Sequence, residues 1–152
     1  MQAAGEYCVT RLGARDVAVA RKLFSAMAEV FEEEHEALSD AYVARLLASD
    51  AMWVLAATSG EDVVGGLTAH TLPMTRSESR EIFIYDLAVR PEHQRRGVGR
   101  LLVTHLRKLS GEAGIHDVFV PADEEDAHAL DFYRALGAEA SRVVFFTFGR
   151  EA

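Results

Sequence analysis

Gln94-Arg95-Arg96-Gly97-Val98-Gly99-Arg100 places two glycines and three arginines where a strand-like run, Ile82 to Val89, gives way to an amphipathic helix. Glycines let backbone N–H groups approach an anion closely. The unpaired amides of a helix's first turn and the positive end of its dipole favour negative charge there. Arg95, Arg96 and Arg100 add formal charge to that geometry, so the segment suits a phosphorylated ligand. Two common phosphate loops do not fit. No Lys-Ser or Lys-Thr pair follows Gly99, and Gly97-Val98-Gly99 runs on into Arg100-Leu101-Leu102 without the third glycine of a dinucleotide fingerprint.

Gln94, Gly97 and Gly99 do match the spacing Gln/Arg-x-x-Gly-x-Gly/Ala, and Leu87-Ala88-Val89 followed by Pro91 leads into them. In these residues the segment resembles the acetyl-coenzyme A pyrophosphate loop of the GNAT superfamily of N-acyltransferases. A second block, Asp126 to Ala138, resembles the superfamily's later motif Asn-x-x-Ala-x-x-Phe-Tyr-x-x-Leu-Gly-Phe, with Asp126 standing for Asn and Ala138 for Phe. Asp126 can cap a helix there, and Gly137 falls where a helix ends on a positive φ. The resemblance implies acetyl-coenzyme A (acetyl-CoA) as cofactor. Its pyrophosphate would lie on Gln94, Arg95, Arg96, Gly97, Val98, Gly99 and Arg100. Its pantetheine arm would lie along the backbone of Leu87, Ala88 and Val89, near Asp126 and Tyr133. It implies one α/β domain over residues 1–152, a mixed sheet whose central parallel strands splay apart between about four helices.

Further stretches look like the gentamicin-type aminoglycoside 3-N-acetyltransferases: Glu81-Ile82-Phe83-Ile84-Tyr85-Asp86-Leu87-Ala88-Val89, Val120-Pro121-Ala122-Asp123 and Phe145-Phe146-Thr147-Phe148. That likeness implies transfer of an acetyl group to an aminoglycoside amine, the 3-amino group of the 2-deoxystreptamine ring, and with it antibiotic resistance. An ammonium acceptor must lose a proton before it attacks, and Glu81, Asp86 and Asp123 are the carboxylate candidates. Glu81 and Asp86 are an odd number of residues apart, so strand period puts them on opposite faces unless a bulge intervenes. A backbone N–H near Leu87 to Val89 would steady the acyl oxygen, and Tyr133 is the candidate to protonate the leaving thiolate. Asp123, Glu124 and Glu125, with Glu32, Glu33, Glu34 and the neutral groups His70 and Tyr85, are expected to contact the acceptor along with Asp86. Two other readings stay open: a GNAT enzyme acting on another small-molecule amine or a protein N-terminus, and a non-catalytic acetyl-CoA-binding module.

The bulk of the chain fits this picture. Twenty-four acids against sixteen bases give a formal charge of −8, so the acceptor side favours a cation and a nucleic-acid partner is not expected. The acids bunch at Glu32-Glu33-Glu34-His35-Glu36 and Asp123-Glu124-Glu125-Asp126. With 152 residues and one cysteine, Cys8, there is a sizeable core but no internal disulfide. No metal site is expected from the six scattered histidines. The absence of a long apolar run or a signal-like start points to a cytoplasmic protein without a membrane partner, and leaves a homodimer open.

Apolar spacing sets out the elements that hold these residues. An edge strand is expected over 7–12, a long helix after Asp16, and a short one capped by Ser39 or Asp40. A hairpin follows over 52–58 and 63–72, with its turn at Ser59-Gly60-Glu61-Asp62. The central strand and phosphate loop come next. Then come a helix with Val98, Leu102 and Leu106 on one face, and a short strand over 118–120. A helix crosses between that strand and the central one, so the two should be parallel. The Tyr133 helix and a final strand over 143–148 close the order.

Overall fold

The computed structural model describes residues 6–150 of the chain. Two compact units divide after Pro121. In the first, β1 (Cys8–Arg11) is followed by α1 (Val17–Val30) and α2 (Asp40–Ala48). Then come β2 (Met52–Ser59), β3 (Asp62–Pro73) and β4 (Arg80–Val89), and last α3 (Val98–Glu112) and β5 (Asp117–Phe119). The five strands form one sheet in chain order. β1 to β4 pair antiparallel, and β5 lies parallel to β4 because α3 crosses between them. This is the mixed sheet with four helices expected from the sequence, the fourth helix, α4 (Ala127–Ala135), belonging to the second unit.

Both faces of the sheet are covered, and β2 shows it: Trp53 to Ala57 are buried without a break. Val54 and Ala56 join Ala20, Leu23 and Met27 of α1 and Val43 and Leu47 of α2 in one cluster. α3 turns Val98, Leu102 and Leu106 inward against the opposite face. Ser39 caps α2, its Oγ accepting from the Tyr42 N–H at 3.1 Å. Asp16 precedes α1, but its carboxylate accepts from the Gly13 N–H at 2.7 Å and not from a helix amide.

The site depends on an irregularity in β4. Thr68 pairs with Asp86, but the next residue, Ala69, pairs with Ile84, so Tyr85 is an extra residue opposite no partner. A bulge of one residue reverses the alternation beyond it. Leu72, His70 and Thr68 alternate onto one face of β3, and their register partners Glu81, Phe83 and Asp86 share that face. Glu81 and Asp86 therefore lie on the same side, where an unbroken strand would have parted them.

One expected element is not there. Residues 143–148 form no strand, and Val143, Val144, Phe145, Phe146 and Phe148 are exposed. A strand persists only where its N–H and C=O groups find a ladder, and the described residues of the second unit contain no other strand to supply one.

Gly66, on the α1 face of β3, fixes how closely the helix approaches. A Cβ there would run into the Leu23 side chain and come within 2.8 Å of the Leu55 carbonyl oxygen. Gly66→Ala should therefore destabilise the protein by about 1–3 kcal/mol, the usual cost of overpacking a core. Urea unfolding followed by circular dichroism measures it, and an unchanged midpoint would show that α1 yields freely.

Candidate active site

Asp86 is half-buried on the bulged face, and burial pushes its carboxyl above the ordinary aspartate range. The negative charge of Glu33, in the segment joining α1 to α2, pushes it further the same way, and His70 pulls partly back. Such a carboxylate holds a proton more readily than an exposed one, a property suited to general-base work near neutral pH. Glu32 and Glu34 are exposed beside Glu33, and Glu32 takes the left-handed conformation (φ 55°) just beyond the end of α1. His70 and Tyr85 meet edge to face with ring centroids 5.8 Å apart, and Phe83 meets Tyr85 at 5.9 Å. Glu81 is at the far end of the same face, in register with Asp117 of β5.

β5 pairs with β4 only at Glu81, Ile82 and Phe83. Beyond Phe83, Leu87, Ala88 and Val89 are paired with β3 on one side, and no strand of the first unit pairs with their other edge. This is the parting of parallel strands expected at the fold's centre. At the end of β4, Arg90 is committed to the fold. Its N–H donates to the Val64 carbonyl, its Nε to Val63 at 3.1 Å, and its Nη1 pairs with Glu29 at 3.1 Å. Gln94 turns back as well, its Nε2 donating to the Val89 carbonyl at 2.9 Å. The side-chain amide of Gln94 thus closes the loop.

Past that closure the loop suits an anion. Arg95 takes a positive φ of 62° and Gly97 one of 82°, and a Cβ on Gly97 would have nothing within 4 Å. α3 then begins with no capping side chain and no acid in its first turn, whereas Ser39 caps α2 and Asp126 caps α4. Arg95, Arg96 and Arg100, all exposed, lie within this turn and the first residues of α3, with Val98 buried and Gly99 half-buried. An uncapped helix end ringed by arginines favours a phosphate.

The second unit holds the remaining candidates. Asp126 caps α4, its Oδ1 accepting from the Ala129 N–H at 3.1 Å, and Gly137 beyond the helix has φ 93°. Tyr133 has its phenol pushed up to about 12 by burial and, secondarily, by Asp126, so it keeps its proton at any physiological pH. The second acidic run is largely occupied locally. Asp123 lies in a loop and not on a strand, and its Oδ1 accepts from the Glu125 N–H at 2.9 Å. Glu124 pairs with Arg142 at 3.6 Å, and Glu125 is exposed. One carboxylate oxygen of Asp123 and one of Asp126 thus bind the turn that leads into α4, while both side chains remain exposed.

Three features escaped the sequence. Phe83 stacks on Phe119 across the β4–β5 pair, with centroids 5.1 Å apart and planes 11° apart. Asp117 faces Glu81 in register, and Glu33 reaches Asp86 through its field. Strand alternation could signal the first two only once the pairing register was known.

A family model described as the acetyltransferase (GNAT) family matches residues 18–138. Among curated proteins none matches. An aminoglycoside acetyltransferase from an uncultured soil metagenomic sample is 34% identical, with a TM-score of 0.90, over 95% of this chain and 99% of that one. A second such enzyme, also from an uncultured soil metagenomic sample and solved in complex with sisomicin, is 32% identical, with a TM-score of 0.92, over 97% and 98%. AAC(6')-Iy, solved with the bisubstrate analogue CoA-S-monomethyl-acetylneamine, shares the fold at 16% identity and a TM-score of 0.80, over 95% and 98%.

The electrostatics of Asp86 can be read directly by NMR titration. Glu33→Gln should move its carboxyl back toward the ordinary aspartate value, and His70→Ala should move it further up. Because folding raises this acid, the folded state holds its proton more tightly. Stability from this group is full below the unfolded-state value and declines as pH rises through the folded one. Asp86→Asn should therefore be at least as stable as wild type at pH 7. A wild-type carboxyl titrating as in a free peptide would contradict the buried placement.

Proposed function

We propose, from the premise that the chain belongs to the GNAT acetyltransferase family, that it acetylates an aminoglycoside at the 3-amino group of the 2-deoxystreptamine ring. The protein is an acetyltransferase and its donor is acetyl-CoA. The observation that carries the acceptor reading is Asp86: a desolvated carboxylate on an acid-bearing sheet face, beside the unpaired edge of β4. The full-length likeness to two aminoglycoside acetyltransferases supports the same reading. The regiochemistry rests on the likeness of Ile84-Tyr85-Asp86-Leu87-Ala88-Val89 to the gentamicin-type enzymes. The family match runs across both compact units, which supports treating the chain as one domain.

The residues present fit the cofactor. The open space over Gly97, its positive φ and the uncapped start of α3 suit a pyrophosphate, which Arg95, Arg96 and Arg100 would neutralise. Leu87, Ala88 and Val89 pair with β3 along one edge, and their other edge would hold the pantetheine amides, save at the Val89 carbonyl, which Gln94 takes. When bound, the cofactor supplies an acyl group activated as a thioester. Asp86 takes the proton from the acceptor ammonium, directly or through one water, and its raised proton affinity equips it for this. A backbone N–H between Leu87 and Val89 steadies the acyl oxygen. Tyr133 keeps a proton to deliver to sulfur. Glu81 and Glu33 contribute field and ammonium contacts on the Asp86 face.

Thiol release from acetyl-CoA, measured against gentamicin, sisomicin, a linear polyamine and a peptide N-terminus, tests the proposal. Release with the aminoglycosides, and a product acetylated at the 3-amino group by NMR, is expected. Release with the polyamine or peptide alone would assign another amine, and no release would leave an acetyl-CoA-binding module.

Tyr133→Phe should lower kcat by about 10²-fold with the acetyl-CoA KM little changed, the usual size of a general-acid contribution. Turnover near wild type would make solvent the proton donor.

A further inference from the structure

The bulge that brings Asp86 to the acceptor face also brings aromatic rings there, and the acid–base chemistry uses none of them. His70, Tyr85, Phe83 and Phe119 form a continuous strip, each ring in contact with the next. Register places His70, Phe83 and Phe119 on one face, and Tyr85 joins them through its ring contacts. Tyr85 is 62% exposed and Phe119 45%, which is unusual for large rings side by side in a sheet. Carboxylates stand at both ends. Asp86, with Glu33 in its field, is at one, and Glu81 in register with Asp117 is at the other. The β3 partners of Asp86 and Glu81, Thr68 and Leu72, are four positions apart, roughly 13 Å along the strand.

We propose that this strip is a second acceptor subsite, one that packs against the C–H faces of saccharide rings while the carboxylates at its ends take ammonium groups. The inference rests on the aminoglycoside reading and adds to it a mode of recognition. Charge complementarity selects the occupant. A purely apolar ligand would leave two like-charged carboxylates facing each other across Glu81 and Asp117, a pairing that costs energy without a cation between them. A linear polyamine would satisfy the acids but leave the rings bare. A molecule with several amino-substituted rings does both, and aromatic faces attract the electron-poor C–H groups and ammonium groups it carries. The strip is longer than one six-membered ring, so the acceptor should span it with more than one.

Calorimetry and steady-state kinetics with sisomicin and with spermine test this, using wild type, Tyr85→Ala, Tyr85→Phe and Phe119→Ala. The Tyr85 side chain is exposed, so its removal should leave the fold intact, and circular dichroism checks this. Tyr85→Ala and Phe119→Ala should each weaken sisomicin about tenfold, Tyr85→Phe should restore it, and spermine affinity should move less than twofold. Sisomicin bound and acetylated normally by both alanine variants would overturn the subsite and leave the aminoglycoside reading standing. A wild type that neither binds nor acetylates sisomicin would overturn that reading and the occupant with it. Equal losses for spermine and sisomicin would show a general disturbance of the face and overturn ring recognition.

Discussion

One extra residue in β4 decides which side chains share a face of this sheet. With Tyr85 unpaired, the strand reverses its alternation between Ile84 and Asp86, so that Ile82 and Ile84 remain in the core while Glu81, Phe83 and Asp86 turn to the other face. Without it, Asp86 would point into the apolar face that α3 covers, at the cost of burying a charge. The bulge also brings the Tyr85 ring to His70 and Phe83. The neighbouring constraint is the short pairing of β5. Three residues suffice to hold the two parallel strands together, and β5 does not pair with β4 beyond them.

The electrostatics divide the first unit into two regions of opposite sign. Arg95, Arg96 and Arg100 gather where α3 starts without a cap, while Glu33, Glu81, Asp86 and Asp117 belong to the bulged face or reach it through their field. In the proposed reaction this separation would draw an anionic donor and a cationic acceptor to different places. Part of the acidity seen in the sequence is structural. Asp123 and Asp126 serve the turn and cap before α4, and Glu124 is paired with Arg142. Asp86, held where burial works against its charge, is thus the stronger base candidate.

Much of the fold was legible because its signals are local. The spacing of Ala20, Leu23 and Met27 marks α1, the Ser39 cap marks α2, and Gly97 and Gly137 mark positions where φ is positive. Features that depend on pairing were not legible. The alternation of β4 gives no sign of which residue bulges, so the shared face of Glu81 and Asp86 stayed conditional. The Phe83–Phe119 stack joins residues 36 positions apart and follows only from the β4–β5 register. Gln94 was found by its motif, yet its amide closes the loop on Val89. The run from Val143 to Phe148 has strand-forming residues but no ladder in its own unit, and propensity without a partner does not make a strand.

The most direct measurement is a crystal structure of the protein with coenzyme A and sisomicin bound together. The proposed chemistry requires an amino nitrogen of the acceptor within about 3.2 Å of an Asp86 carboxylate oxygen, or joined to it by a single ordered water. It also requires the pyrophosphate on the amides that open α3. An acceptor seated on the opposite face of the sheet, or an Asp86 carboxylate turned away from every amine with no bridging water, would contradict it.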